Sequence, residues 1–274
     1  WYGTYDARSV CMQGENVYIA DGKNGLVVVN ANKIGNPIRN LSQVGRYDTA
    51  GSAAGVYIQG NYAYVADGGN GLVIIDISNP NNPRQVGRCG TKRALGVYIQ
   101  GSYAYVADME NGLVIIDISN PKSPTQVGGY YGTRIPLGVY IQGSYAYVAD
   151  RSNGLVIIDI SSPNNPRQVG RCGTKRALGV YIQGSYAYVA DMENGLVIID
   201  ISNPKSPTQV GRYNTAEYAE GVYVQDSYAY VADYENGLVI IDVSNPNNPR
   251  QVGWYDTYKA RGIYVQGSYA YVAD

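Results

Sequence analysis

Aspartate recurs at two fixed places in this chain, and each place could hold either a loop or a cation. The first is the Asp of Ala-Asp at positions 21, 67, 108, 150, 191, 233 and 274, followed in all but the last by Asn-Gly three and four residues on. The second is Asp76, Asp117, Asp159, Asp200 and Asp242, each just ahead of a Ser-Asn-Pro or Ser-Ser-Pro turn. An Asp side chain there accepts from backbone N–H groups two or three residues downstream, closing the turn. Groups repeated in nearly every unit serve the unit, so the structural role is the primary reading. Structural calcium is the alternative, since Asp-x-x-Asn-Gly offers oxygens, although the dense carboxylate spacing of an EF-hand loop is missing. Catalysis by paired carboxylates would need acids peculiar to one or two units. Glu220 is the one such acid just ahead of a unit's first strand. No catalytic, cofactor-binding or metal-ligating residue is assigned.

Composition narrows the chemistry further. Among 274 residues there are 29 tyrosines but no histidine and no phenylalanine. Without histidine a Ser-His-Asp triad, a Cys-His dyad, a His-ligated metal and an imidazole base are all excluded. Lys and Arg number 21 against 22 acids, a net charge of −1, so the chain is no electrostatic nucleic-acid binder. No apolar run approaches the ~18 residues of a membrane span. Apolar residues make up 45 %, enough at this length for a large core. Cys11, Cys89 and Cys172 each replace a tyrosine of the sister units; Cys89 and Cys172 fall two units apart, too far for a disulfide. They are read as small core hydrophobes.

The elements that must position these residues come from a repeat. Asn-Gly-Leu begins at Asn24, Asn70, Asn111, Asn153, Asn194 and Asn236, with spacings of 46, 41, 42, 41 and 42. Residues 80–128 and 163–211 are identical, the mark of a duplicated pair of units. One unit reads as four strands: Gly96–Gln100, Tyr103–Asp108, Leu113–Ile118 and about Thr125–Tyr130. Each is β-branched or aromatic and bounded by Gly, Asn, Ser or Pro. Gly-Ser and Asn-Gly supply the hairpin links, and the two prolines after the third strand forbid continued pairing there. On the second strand Tyr103 and Tyr105 face one way, Ala104 and Val106 the other. Bulky and shallow apolar faces back to back suit sheets stacked in a ring, whereas a sandwich would leave one face polar. The expected fold is an all-β propeller of four-stranded antiparallel blades, spanning 1–274 as one domain.

The third strand spells Leu-Val-Ile-Ile-Asp at Leu72–Asp76, Leu113–Asp117, Leu155–Asp159, Leu196–Asp200 and Leu238–Asp242, with a drifted copy at Leu26–Asn30. With Ser-Asn-Pro after it and Tyr-Val-Ala-Asp before it, the chain resembles the LVIVD-repeat family over essentially its whole length. NHL and YVTN propellers share the Tyr-Val-Ala-Asp flavour and are the nearest alternatives. The LVIVD resemblance implies a β-propeller of bacterial or archaeal secreted and cell-surface proteins. It brings no catalytic residues, and the Ser-x-Asp-x-Gly-x-x-Trp box of sialidase propellers is absent.

The two ends align with each other: Trp1–Asp21 and Trp254–Asp274 share 11 of 21 positions. Seven blades fit this better than six, with Trp1 onward as a fourth-strand stub of the blade that Gly262–Asp274 begins. The missing third strand leads to the expectation of a fragment of a longer chain, with any signal peptide or anchor outside it.

In such a meander the second-to-third and fourth-to-first connections emerge on one side, and that side carries the variation among units. It holds Arg8, Arg93, Arg134, Arg176 and Arg261 ahead of first strands, with Tyr47, Tyr130, Tyr131, Tyr213, Tyr218, Trp254, Tyr255 and Tyr258 beside them. Arg and Tyr are enriched at binding hot spots because each joins wide contact area to directional polar groups. The expected function is a non-catalytic extracellular or cell-surface scaffold for protein interaction or adhesion. A glycan-binding module is the alternative and a glycoside hydrolase the third reading. Expected partners are other proteins or surface polysaccharide, without nucleic acid or membrane insertion.

Overall fold

The computed structural model describes residues 4–31 and 42–274. The strand-rich sequence becomes 26 strands among these residues, from β1 (Ala7–Gln13) to β26 (Tyr269–Ala273). They form six four-stranded sheets in sequential antiparallel order and a seventh sheet of two strands, β25 (Gly262–Gln266) and β26. The propeller of four-stranded blades is therefore as expected, while the seventh blade has two of its four strands. The fourth-strand stub expected from Trp1 falls in part outside the described residues. No helix among the described residues is long and apolar enough to cross a membrane.

The third blade shows how one unit builds itself. It contains β9 (Ala94–Gln100), β10 (Tyr103–Asp108), β11 (Gly112–Asp117) and β12 (Thr125–Tyr130). The hairpin register sets Tyr103 opposite Gln100 and Asp117, and Tyr105 opposite Tyr98 and Ile115. Gly101 takes φ +60° and Gly112 φ +77°, left-handed conformations that glycine adopts freely, so both tight turns are encoded by the glycines. β9 starts two residues before Gly96 because a bulge between Ala107 and Asp108 lets Ala94 keep pairing.

Blades stack by the large-against-small scheme. Tyr105, Leu113 and Ile115 of the third blade pack with Ala146, Val148, Val156 and Ile158 of the fourth, all but completely buried. The pattern repeats blade to blade. β1 and β25 touch across the ring closure, and Ala273, Tyr264 and Tyr271 join a core with Val17, Ile19, Val27 and Val29 of the first blade.

A glycine in each outer strand permits the close approach. A Cβ on Gly45, Gly87, Gly128, Gly170 or Gly211 would stand 1.9–2.0 Å from the carbonyl oxygen of Pro80, Pro121, Pro163, Pro204 or Pro246 respectively. Each of these five outer strands thus backs onto the proline turn of the next blade. All three cysteines are free and half-buried, packed against the blade cores, and burial pushes their thiols up from the ordinary value.

Candidate functional site

Two rings of side chains follow from seven inner strands meeting at an axis. The third-from-last residue of each inner strand is Tyr57, Tyr98, Tyr140, Tyr181, Tyr223 or Tyr264, and in β1 it is Cys11. Successive rings stand 4.8, 4.8, 5.0, 4.7 and 5.3 Å apart between centroids, tilted by 48–60°. This is the tilted geometry that aromatic quadrupoles prefer. Cys11 fills the seventh place, between Tyr264 and Tyr57. Burial raises the phenol pKa values of Tyr57, Tyr98, Tyr181 and Tyr264, the last to about 12, so these four hydroxyls stay protonated and can donate.

The second ring lies one turn up, at the mouth. The residues just ahead of the inner Gly or Ser are Arg8, Ala54, Leu95, Leu137, Leu178, Glu220 and Arg261. Asp6 accepts from Arg8 at 2.6 and 2.9 Å and from Arg261 at 2.7 Å, and Glu220 lies 3.9 Å from Arg261. One side of the mouth is therefore a neutralised ion cluster tying the seventh blade to the first, and the other side is leucine. Desolvation raises the Glu220 carboxyl despite the two arginines.

The five arginines divide accordingly. Only Arg8 and Arg261 come together. The amides of Arg93, Arg134 and Arg176 donate to Asp108, Asp150 and Asp191 at 2.6–2.8 Å, which holds them over their blades. Arg176 pairs with Glu193 at 3.0 Å; Arg93 and Arg134 are exposed, with no ion pair among the described residues.

The recurrent aspartates hold loops. Asp108 accepts from the amides of Glu110, Asn111 and Arg93, and Asp233 from Thr215 Oγ1, Asn236 Nδ2 and the Glu217 amide. Bridges Gly22↔Ala53, Gly68↔Ala94 and Tyr234↔Ala260 join the two kinds of variable loop, so both do lie on one face. Asp117 and Asp233 titrate in opposite directions. Hydrogen bonds from Ser119 hold the exposed Asp117 carboxyl below the ordinary value, while burial lifts Asp233 above it. A depressed folded value stabilises the fold above the ordinary aspartate value of about 3.9 and is lost as pH falls through the lower value. The raised value does the reverse, its stabilisation fading as pH rises through the folded value. Carboxyl NMR titration should place the Asp117 midpoint below, and the Asp233 midpoint above, that of a model peptide; the opposite order would contradict the Ser119 hydrogen bonds at Asp117 and the burial of Asp233.

The aromatic candidates also divide. Tyr47, Tyr130 and Tyr213 donate to Gln85, Gln168 and Gln251, tying each outer strand to that of the next blade. Tyr131 is exposed and takes a 3.4 Å bond from Gln126. Tyr218, Trp254, Tyr255 and Tyr258 are exposed around the sixth blade, β21 (Gly221–Gln225) to β24 (Arg250–Tyr255), and the Trp254 indole donates to the Asn236 carbonyl. Beside Tyr218 is Tyr234, which the sequence reading passed over. Tyr234 lies 6.3 Å from Tyr218, and Lys259 Nζ sits 5.6 Å from its ring and 5.1 Å from that of Tyr258. Its φ is +41°, in the region favouring glycine, and Gly22 and Gly68 hold the same bridge in the first two blades. A shallow cavity of about 470 Å³ adjoins, lined by Glu235, Asp256, Thr257 and Tyr258.

The LVIVD repeat model matches seven times, at residues 5–49, 50–91, 93–131, 137–174, 176–215, 216–257 and 259–274. The chain belongs to the LVIVD-repeat family. Among curated proteins there is no match. Solved structures of the same fold include a functionally unknown protein from Desulfotomaculum acetoxidans, 15 % identical, covering 98 % of this chain and 89 % of that one with a TM-score of 0.76. A chain of the mitotic checkpoint complex is 12 % identical over 93 % and 82 %, TM-score 0.73. The computationally designed Ika8 protein is 5 % identical over 98 % and 81 %, TM-score 0.72. At such identities these likenesses speak for the propeller alone. In this LVIVD chain the blade-specific chemistry therefore has to be read from its own loops, where Tyr234 holds the positive φ that Gly22 and Gly68 hold in the first two blades.

Proposed function

We propose that this LVIVD propeller is a non-catalytic scaffold, extracellular or displayed on a cell surface, that binds a protein partner through the variable-loop face of its sixth blade. The observation that carries the reading is Tyr234: a bulky residue held at φ +41° beside Tyr218, Tyr258 and Lys259. A non-glycine residue in that region is strained, and strain of this kind clusters at ligand clamps. The exposed Tyr258 and Trp254 widen the patch with residue types enriched at hot spots. The two carboxylates at the mouth, Asp6 and Glu220, both face arginines, Asp6 pairing with Arg8 and Arg261 and Glu220 lying 3.9 Å from Arg261, which supports a binding role over hydrolysis.

The test is selection of a random peptide library on immobilised propeller, with a glycan array run in parallel. Selected peptides should lose at least about tenfold in affinity on Tyr234→Gly, a contact loss of about 1.4 kcal/mol. They should bind Lys122→Ala, on the proline-turn face, as they bind the parent. Because glycine already fills this place in two blades, Tyr234→Gly should fold normally. Glycan binding without peptide enrichment would favour the glycan reading, and peptides indifferent to Tyr234→Gly would overturn the assignment.

A further inference from the structure

Charge is unevenly shared around the variable-loop face. In the third, fourth and fifth blades its loops carry Lys92, Arg93, Arg134, Arg151, Lys175 and Arg176, against Glu110 and Glu193 as their acids. The equivalent loops of the second blade (48–54 and 68–70) and of the sixth (214–220 and 234–236) contain no lysine or arginine. A chain with a net charge of −1 thus displays a cationic arc three blades wide. Five of the six cations are exposed, and Arg151 is half-buried.

The backbone holds this arc in place. Besides the amide bonds to Asp108, Asp150 and Asp191, main-chain bonds join the two loops of each blade. The Met109 N–H donates to the Arg93 carbonyl at 2.9 Å, that of Arg151 to Ile135 at 3.0 Å and that of Met192 to Arg176 at 2.9 Å. The three aspartates are buried beneath, so an anion arriving from solvent meets guanidinium first. Where the third and fifth blades carry Met-Glu, the fourth carries Arg151-Ser152, which removes an acid and adds a base at the centre of the arc. Arg176 pairs with Glu193, yet Arg93 and Glu110, their counterparts in the duplicated stretch, form no ion pair among the described residues. An exposed pair of this kind adds little stability, so Arg176 can give it up to a ligand.

We propose that this arc is a binding surface for an anionic polysaccharide, one bearing a carboxylate or sulfate on successive sugar units. Cations repeated on neighbouring blades match a chain that repeats its charge. Four of the six are arginine, whose planar fork takes carboxylate and similar oxyanions two oxygens at a time. The surface lacks what other anionic partners use. Tyr131 is the one exposed large apolar side chain of these three blades among the described residues. There is therefore no anchor cluster for an acidic peptide and no apolar loop tip to enter an anionic membrane. Asn111 and Ser152, on the same loops, offer hydrogen-bonding groups to sugar hydroxyls. A stiff glycan chain also loses less freedom on binding than a flexible acidic peptide.

The test is calorimetric titration of the intact propeller with polygalacturonate and with dextran sulfate, beside neutral dextran, poly-glutamate and anionic phospholipid vesicles. At least one charged glycan should bind, more tightly than poly-glutamate or the vesicles, and neutral dextran should not. The double variant Arg134→Glu, Arg151→Glu should weaken that binding at least about tenfold. Lys122→Glu with Lys205→Glu makes the same change of net charge on exposed residues of the proline-turn face, and should alter affinity less than about twofold. Rising salt should weaken binding, because exposed charges are screened. Absence of binding to both charged glycans, equal losses from the two double variants, or tighter binding of poly-glutamate or vesicles would each overturn the proposal. Tyr234→Gly should leave glycan binding unchanged, so this surface and the protein site of the sixth blade can fail separately.

Discussion

Tyr105→Ala is expected to destabilise the propeller by about 3–5 kcal/mol, the range for truncating a large aromatic in a packed core. The ring is 2 % exposed and wedged between Ala146 and Val148 of the next blade, which are too small and too rigidly held to fill the vacated space. Its hydroxyl adds little to this, since the loss is mainly of apolar contact and of the volume left behind. A urea melt monitored by far-ultraviolet circular dichroism measures it. A change below about 1 kcal/mol would contradict the large-against-small packing scheme on which the blade stack rests. Unfolding at the interface of the third and fourth blades ahead of the rest is a further expected result, because ring repeats contact mainly their neighbours.

Gly87→Ala is the second large effect, and its neighbours supply the controls. A single methyl at Gly87 would sit 2.0 Å from the Pro121 carbonyl oxygen, a backbone atom that can retreat only by moving a proline turn. Overpacking of this kind costs about 1–3 kcal/mol or more. Gly90, three residues on, has nothing within 4 Å of such a methyl, and Gly253 meets only the flexible Ile240 side chain at 3.4 Å. Gly90→Ala and Gly253→Ala should therefore leave the melting midpoint within about 0.5 kcal/mol of the parent, or raise it slightly by restricting the unfolded chain. Equal losses at all three positions would show that the glycines matter for chain flexibility and that the inter-blade approach does not set their identity.

Much of the fold was legible because its signals are local. Period-two apolar strands, Gly-Ser and Asn-Gly turns, and paired prolines recur at a near-constant spacing, so strand type and order could be written down unit by unit. The boundaries moved by one or two residues: Ala94 continues β9 through a bulge, Gly112 joins β11 by pairing with Asp108, and β11 ends at Asp117 where Ile118 was expected. The candidate site was less legible, because its contacts arise only when the ring closes. The six collar tyrosines look like ordinary strand residues 41 to 42 positions apart, and nothing local says that they become nearest neighbours around an axis. Arg8 and Arg261 were read as equals of Arg93, Arg134 and Arg176. What separates them is Asp6, which meets Arg261 across 255 residues of chain. Tyr47, Tyr130 and Tyr213 were grouped with the recognition aromatics, yet their hydroxyls bond glutamines of the following blade. Tyr234 was passed over because a lone aromatic in a variable loop resembles drift; its positive φ is a property of the folded backbone. The available signal was comparison by position, which places glycine there in two sister blades.

The central claim is that recognition of the protein partner belongs to one face and to one blade of an otherwise repetitive ring. Hydrogen-exchange mass spectrometry of the propeller with its best selected peptide tests this most directly. The account predicts slowed exchange in residues 214–220, 234–237 and 256–261, with the proline turns at 119–124 and 202–207 unchanged. Protection on those turns, or spread evenly over the loops of all blades, would contradict it.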